Sequence, residues 1–178
     1  MQGGILIIDY GSQYTQLIAR RIREINVYCE IHPFNKVNSK LLKMLQPEGF
    51  ILSGGPNSTS DKGSPQIPKC IKFIKKPILG ICYGLQLLIN DSGGKIKKSL
   101  SREYGHAKLK ILRSSKILPK GWNNKSPNVW MSHGDSISYV PKNFKIIAKS
   151  NNNIISIIES KKEKIYGLQF HPEVHHTK

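Results

Sequence analysis

Apolar positions follow two regimes along this chain. Up to about residue 90, short apolar runs alternate with stretches whose apolar residues recur every three or four positions. Ile5–Asp9 is a continuous apolar run ending in Asp9-Tyr10-Gly11-Ser12, which predicts a buried strand and the loop at its C-terminal end. Tyr14–Glu24 places Leu17, Ile18 and Ile22 on one helical face, with Arg20, Arg21 and Arg23 largely off it. A second strand is expected over Val27–Ile31, a short helix at Leu41, Leu42 and Leu45 before Pro47, and a third strand over Phe50–Ser53 that ends in Gly54-Gly55-Pro56. Ile67–Ile74 is weakly helical, Pro77–Ile81 reads as a fourth strand, and Tyr83–Asn90 as a helix with Leu85, Leu88 and Ile89 inside. Alternating strands and helices predict a mostly parallel sheet covered by helices on both faces. Ligands in such sheets bind at the C-terminal strand ends, so the loops after Asp9, Ser53 and Ile81 should share one edge.

Gly93-Gly94 breaks the pattern. Beyond it, Lys108–Leu112, Val129–Met131, Ile146–Ala148, Ile154–Ile158 and Ile165–Phe170 read as strands. Ser150-Asn151-Asn152-Asn153 and Ser160-Lys161-Lys162-Glu163 have turn chemistry. The expectation is a mixed α/β fold with a small antiparallel strand region, a meander packing onto the sheet and returning the chain to the same edge at His171. No internal repeat or low-complexity linker is visible, so residues 1–178 are read as one domain.

Composition narrows the class. With 38% apolar and 22% charged residues the chain is neither disordered nor a coiled coil. No apolar run approaches the roughly 20 residues needed to span a bilayer, so no membrane partner is expected. No basic-then-apolar leader precedes the first strand. The formal net charge of +17 admits an anionic partner such as nucleic acid, or compositional drift toward lysine. The basic residues are scattered with few aromatics among them, which favours drift over a specific nucleic-acid partner. Three cysteines (Cys29, Cys70, Cys82) in no paired spacing argue against a disulfide framework or zinc ribbon and for a reducing, cytoplasmic setting.

Candidate chemistry concentrates in a few segments. Gly80-Ile81-Cys82-Tyr83-Gly84 lies between a buried strand and a helix, the arrangement of a nucleophile elbow. Glycines two before and two after the central residue suit a turn too tight for side chains, and the helix N-terminus favours an anion on Cys82. A buried structural cysteine in a glycine-rich loop is the alternative. A thiol nucleophile needs a base, and two histidines qualify. His171, in Gln169-Phe170-His171-Pro172-Glu173, follows the last strand and has Glu173 two residues on to orient its ring. His133, in Trp130-Met131-Ser132-His133-Gly134-Asp135, competes. A metal cluster of His171, His175 and His176 is disfavoured because Pro172 rules out a continuing helix and no cysteine ligand is near; no metal is expected. Backbone N–H groups of Tyr83 and of Gly55, in Ser53-Gly54-Gly55-Pro56, could form an oxyanion hole.

The ordered set Ile8-Asp9-Tyr10-Gly11-Ser12-Gln13-Tyr14, Ser53-Gly54-Gly55-Pro56, Gly80-Ile81-Cys82-Tyr83-Gly84-Leu85-Gln86 and Phe170-His171-Pro172-Glu173 resembles the class I (triad) glutamine amidotransferases. Arg102-Glu103-Tyr104-Gly105, Val129–Asp135 and Val174-His175-His176-Thr177 are similar to the branch serving GMP synthetases rather than anthranilate, carbamoyl phosphate or CTP synthesis. The resemblance implies a flavodoxin-like fold, with Cys82 as nucleophile, His171 as base and Glu173 as its orienter. It likewise implies Gly55 and Tyr83 as the oxyanion hole and Gln86, Ser132 and His133 as glutamine-binding positions. It further implies hydrolysis of glutamine to glutamate and ammonia, with the ammonia passing to an ATP-pyrophosphatase synthetase domain or subunit that aminates XMP. ATP and magnesium belong to that partner; no cofactor is expected in this chain. The sequence has only five residues after Glu173 and no Ser-Gly-Gly-x-Asp-Ser phosphate loop. GMP formation is therefore expected to need a separate synthetase chain, or the remainder of a fused enzyme of which this is a fragment, with an inactive relic as the further alternative.

Overall fold

The computed structural model describes residues 3–72 and 74–177; for 99–102 and 124 it describes the backbone alone. The elements run β1 (Ile5–Asp9), α1 (Thr15–Glu24), β2 (Cys29–Pro33), α2 (Ser39–Leu45), β3 (Gly49–Leu52), β4 (Ile78–Ile81), α3 (Tyr83–Asp91), β5 (Lys95–Ile111), β6 (Asn128–Tyr139), β7 (Lys145–Ser150), β8 (Ile155–Ser160) and β9 (Ile165–Leu168). Among the described residues they form one sheet ordered β2-β1-β3-β4-β9-β8-β7-β5-β6. Pairings from β2 through β9 are parallel, and those from β9 onward antiparallel.

Period-two alternation in β1 explains how both faces are covered. Leu6 and Ile8, with Phe50 and Leu52 of β3, pack under α2 and α3 against Leu42, Leu45, Tyr83 and Leu87. Ile7 faces the other way, into a cluster with Ile18 and Ala19 of α1, Cys29 and Ile81. A strand buried on both faces reads as a continuous apolar run, which is what Ile5–Ile8 shows.

Three departures from the sequence expectations have local causes. β2 begins at Cys29 rather than Val27, because Val27 N–H closes the end of α1 on Ile22 O while Asn26, at φ 59, donates to Arg23 O. That is a Schellman cap, and it takes the N–H that a strand would need. Gly93-Gly94 makes the same cap on α3, donating to Asn90 O and Ile89 O. The chain therefore enters β5 at once, and β5 and β6 form a longer antiparallel ribbon than the short strands expected at Lys108–Leu112 and Val129–Met131. Finally, 67–74 holds only a 3-10 turn at Lys69–Ile71, since Pro68 biases Ile67 away from helix; Phe73 lies outside the described residues.

The meander does not pack onto the sheet but extends it. β9 pairs parallel with β4 (Gly80 opposite Gly167) and antiparallel with β8 (Ile158 opposite Gly167), so the backbone edge that β4 would otherwise expose is satisfied. The antiparallel region is accordingly larger than the alternation suggested. The parallel strands β1, β3, β4 and β9 end on the same side, so the loops after Asp9, Leu52, Ile81 and Leu168 meet at one edge, as expected. Among the described residues no helix is long and apolar enough to cross a membrane.

Candidate active site

Cys82 occupies the turn between β4 and α3 with φ 52 and ψ −107, a positive-φ conformation rarely adopted by non-glycine residues. Its N–H donates to Leu168 O at 2.7 Å, which ties the turn to β9. The flanking glycines hold the strain through close backbone approach. A Cβ on Gly84 would lie 2.3 Å from Leu52 O, and one on Gly80 would lie 2.6 Å from the Gly84 carbonyl. Gly84 N–H also donates to Ser53 O. A conformation costing of order 1–3 kcal/mol is thus over-determined by its surroundings.

His171 is buried beside this turn. Its backbone N–H donates to Trp130 O, its Nδ1–H donates to Glu173 Oε1 at 2.7 Å, and the Tyr14 ring meets it edge-on. With Nδ1 engaged, Nε2 is the nitrogen left to face the thiol. The Cβ that Gly54 lacks would lie 3.1 Å from His171 Cε1 and 3.6 Å from Cys82 Cβ, so ring and thiol flank the same glycine. Burial alone would lower the His171 pKa. Its interactions with Cys82 and Glu173 outweigh it and raise the value from 6.5 to about 9.

That shift has a consequence for stability. A folded-state pKa above the unfolded value means the native protein holds the His171 proton more tightly. The stabilisation is complete below about pH 6.5, declines through the interval, and is lost above about pH 9. The difference in urea midpoint between the native protein and a His171→Ala variant is expected to shrink steadily between those limits.

Gly55 and Tyr83 both line the cleft that Cys82 enters. Ser53, fully buried, knits the loops after β1 and β3 together: its Oγ accepts from Tyr10 N–H at 3.0 Å and donates to Gly54 O at 2.8 Å. Gly55 is pressed against Tyr10, where a Cβ would lie 2.7 Å from the carbonyl oxygen. Tyr83 opens α3, so its N–H has no intrahelical acceptor. Among the described residues neither Gly55 N–H nor Tyr83 N–H donates to a backbone carbonyl.

These groups border a cleft of about 500 Å³, whose lining includes Cys82, His171, Gly55, Tyr83, Gln86 and Ser132. Glu173 sits behind His171, outside that lining. Cys82 Sγ lies 3.5 Å from Ser132 O, placing β6 on the far wall. Gln86 is buried and donates through Nε2 to Asp135 O. His133 also lines the cleft, but its ring is engaged by Asp135 O at Nδ1 and Glu103 at Nε2. The imidazole that competed with His171 on sequence alone is therefore not the one that meets the thiol. Among the described residues no cluster of histidine, cysteine or acidic side chains is arranged to hold a metal ion. The Arg102 side chain lies outside the described residues.

Several contributors were not legible in advance. Ser53 is hidden in a motif whose glycines draw attention. Asp135 lines the cleft and accepts from Ser58 Oγ, a contact across 77 positions that no spacing rule signals.

A sequence model of the family described as glutamine amidotransferase class-I matches residues 6–178. The chain belongs to that family. This amidotransferase chain is 49% identical over 173 residues to a GMP synthase (glutamine-hydrolyzing) of Brachyspira hyodysenteriae, covering 97% of its own length and 33% of the relative. It is 51% identical to the GMP synthase of the same description in Elusimicrobium minutum, covering 97% and 34%. Among solved structures, a protein of Thermoplasma acidophilum described as a candidate GMP synthase component matches at 34% identity with a TM-score of 0.84, over 100% of this chain and 87% of that one. The amidotransferase chain thus spans about a third of the length of the curated relatives it matches. The solved-structure matches agree with a class-I, flavodoxin-like α/β fold.

Proposed function

We propose that residues 1–178 form a type 1 glutamine amidotransferase domain that hydrolyses glutamine and supplies ammonia for the amination of XMP to GMP. The observation that carries this reading is Cys82 at a strained helix N-terminus, sharing one cleft with an imidazole that Glu173 orients. With the Nε2 proton already held by His171, Cys82 Sγ attacks the glutamine side-chain carbonyl carbon. The oxyanion is received by the N–H groups of Gly55 and Tyr83. His171 then gives that proton to the departing nitrogen, releasing ammonia and leaving a γ-glutamyl thioester. In the second half, water loses a proton to His171 and its oxygen attacks the thioester. Glutamate leaves, and His171 keeps the proton, which restores the starting pair. Gln86, Ser132 and His133 line the path that the substrate side chain takes to the thiol.

Ammonia would be used by an ATP-pyrophosphatase synthetase domain or subunit, which binds ATP and magnesium; this chain needs no cofactor for its own step. The relatives named GMP synthase favour this partner over other synthetases. The three free cysteines support a cytoplasmic setting.

Incubation with glutamine is expected to release glutamate and ammonia in equal amounts. Adding the synthetase with XMP, ATP and magnesium is expected to accelerate that release and yield GMP. No glutamate above the level of a Cys82→Ala control, with and without the synthetase, would remove the proposal.

A further inference from the structure

The buried carboxylate of Glu103 plays no part in the chemistry above, yet it contacts three side chains behind the cleft wall. It lies on β5, 5% exposed. Oε1 accepts from Ser150 Oγ and from Asn152 Nδ2, each at 2.8 Å, and Oε2 lies 3.3 Å from His133 Nε2. Burial pushes the Glu103 pKa up, but the hydrogen bonds from His133, Ser150 and Asn152 outweigh it and hold the group below its ordinary range.

The other side of His133 shows what this anchoring controls. Nδ1 lies 2.9 Å from Asp135 O, and a carbonyl only accepts, so Nδ1 carries a proton. Nε2 faces the Glu103 carboxylate, so the proton between them completes the pair. Asp135 O also accepts from Gln86 Nε2 at 3.1 Å, while the Asp135 side chain lines the cleft and accepts from Ser58. The segment Ser132–Asp135 is thus clamped from α3 on one side and from His133 on the other. His133 is in turn fixed by a carboxylate tied to the exposed turn between β7 and β8. In the β5–β6 ladder Ser132, His133 and Asp135 face Tyr104, Glu103 and Lys98, and the register shifts between Lys98 and Glu103, so the pairing is interrupted at Gly134.

We infer that Glu103 is a positioning residue: through His133 it fixes the backbone of Ser132–Asp135, the cleft wall opposite Cys82, in the geometry that receives glutamine. The inference rests on the glutaminase reading for its kinetic test and on the hydrogen-bond network alone for its structural one. Glutamine at this position preserves the network, since its amide oxygen accepts from Ser150 and Asn152 and its N–H donates to a neutral His133 Nε2. Alanine cannot.

Steady-state hydrolysis and amide hydrogen exchange by mass spectrometry on the full chain test this together. Glu103→Ala is expected to raise KM for glutamine about tenfold or more, with kcat within about threefold. Peptides covering 129–136 should exchange faster while those of β1, β3 and β4 stay protected. Glu103→Gln should restore both readouts to within about twofold of the native protein. An unchanged KM and unchanged exchange in Glu103→Ala would overturn the inference, and so would a Glu103→Gln variant as impaired as alanine. Should Glu103→Ala fail to fold, Asn152→Ala, on the exposed turn, carries the test: a two- to threefold rise in KM supports it and an unaltered KM contradicts it. If the native protein hydrolyses no glutamine, the functional reading falls and the exchange comparison alone decides.

Discussion

A Cys82→Ala variant is expected to lose glutamine hydrolysis by about 10⁴-fold or more while keeping its fold. Alanine removes only the sulfur, so the positive-φ turn, the N–H to Leu168 O and the packing of both glycines remain. Stability should stay within about 1 kcal/mol of the native value. No other thiol can substitute, because Cys29 packs under α1 and Cys70 hydrogen-bonds Val37 O, neither of them in the cleft lining. Glutamate release under saturating substrate is the measurement. A variant that retained a tenth of the native rate would show that the sulfur does not carry the reaction.

The second large effect is on folding. Gly84→Ala places a Cβ where the Leu52 carbonyl oxygen lies 2.3 Å away and the Leu52 Cβ 2.7 Å away. Both atoms belong to a residue of a central strand, so relief requires α3 to lift from β3. Such a shift would pull Gly84 N–H off Ser53 O and loosen the loop that carries Gly55. A destabilisation of about 3 kcal/mol or more is expected, read as a lower urea midpoint, with activity lost in whatever fraction remains folded. A midpoint equal to that of the native protein would mean that the helix does not rest on the strand as described.

Both predictions concern residues that stood out in the sequence, and the reason is local. An elbow needs small residues two positions either side of its centre whatever surrounds it, and a strand buried on both faces shows as an unbroken apolar run such as Ile5–Ile8. Features decided by distant partners were less legible. The start of β5, Lys95-Ile96-Lys97-Lys98, carries one apolar residue in four and owes its conformation to pairing with β6 some forty positions away. Val27 belongs to an apolar pattern that suits a strand, but capping of α1 claims its N–H first. The choice between His171 and His133 shows the same limit. Each has a carboxylate partner, one two positions away and one thirty, and only the near one is visible in a linear reading.

The proposed nucleophile is Cys82 Sγ, made reactive by His171. A chloroketone or diazoketone analogue of glutamine, followed by intact mass and peptide mapping, tests it most directly. One adduct per chain is expected, located at Cys82, suppressed by excess glutamine and formed far more slowly in a His171→Ala variant. Labelling spread over the three cysteines, or labelling of Cys82 that neither glutamine nor the loss of His171 affects, would contradict the account.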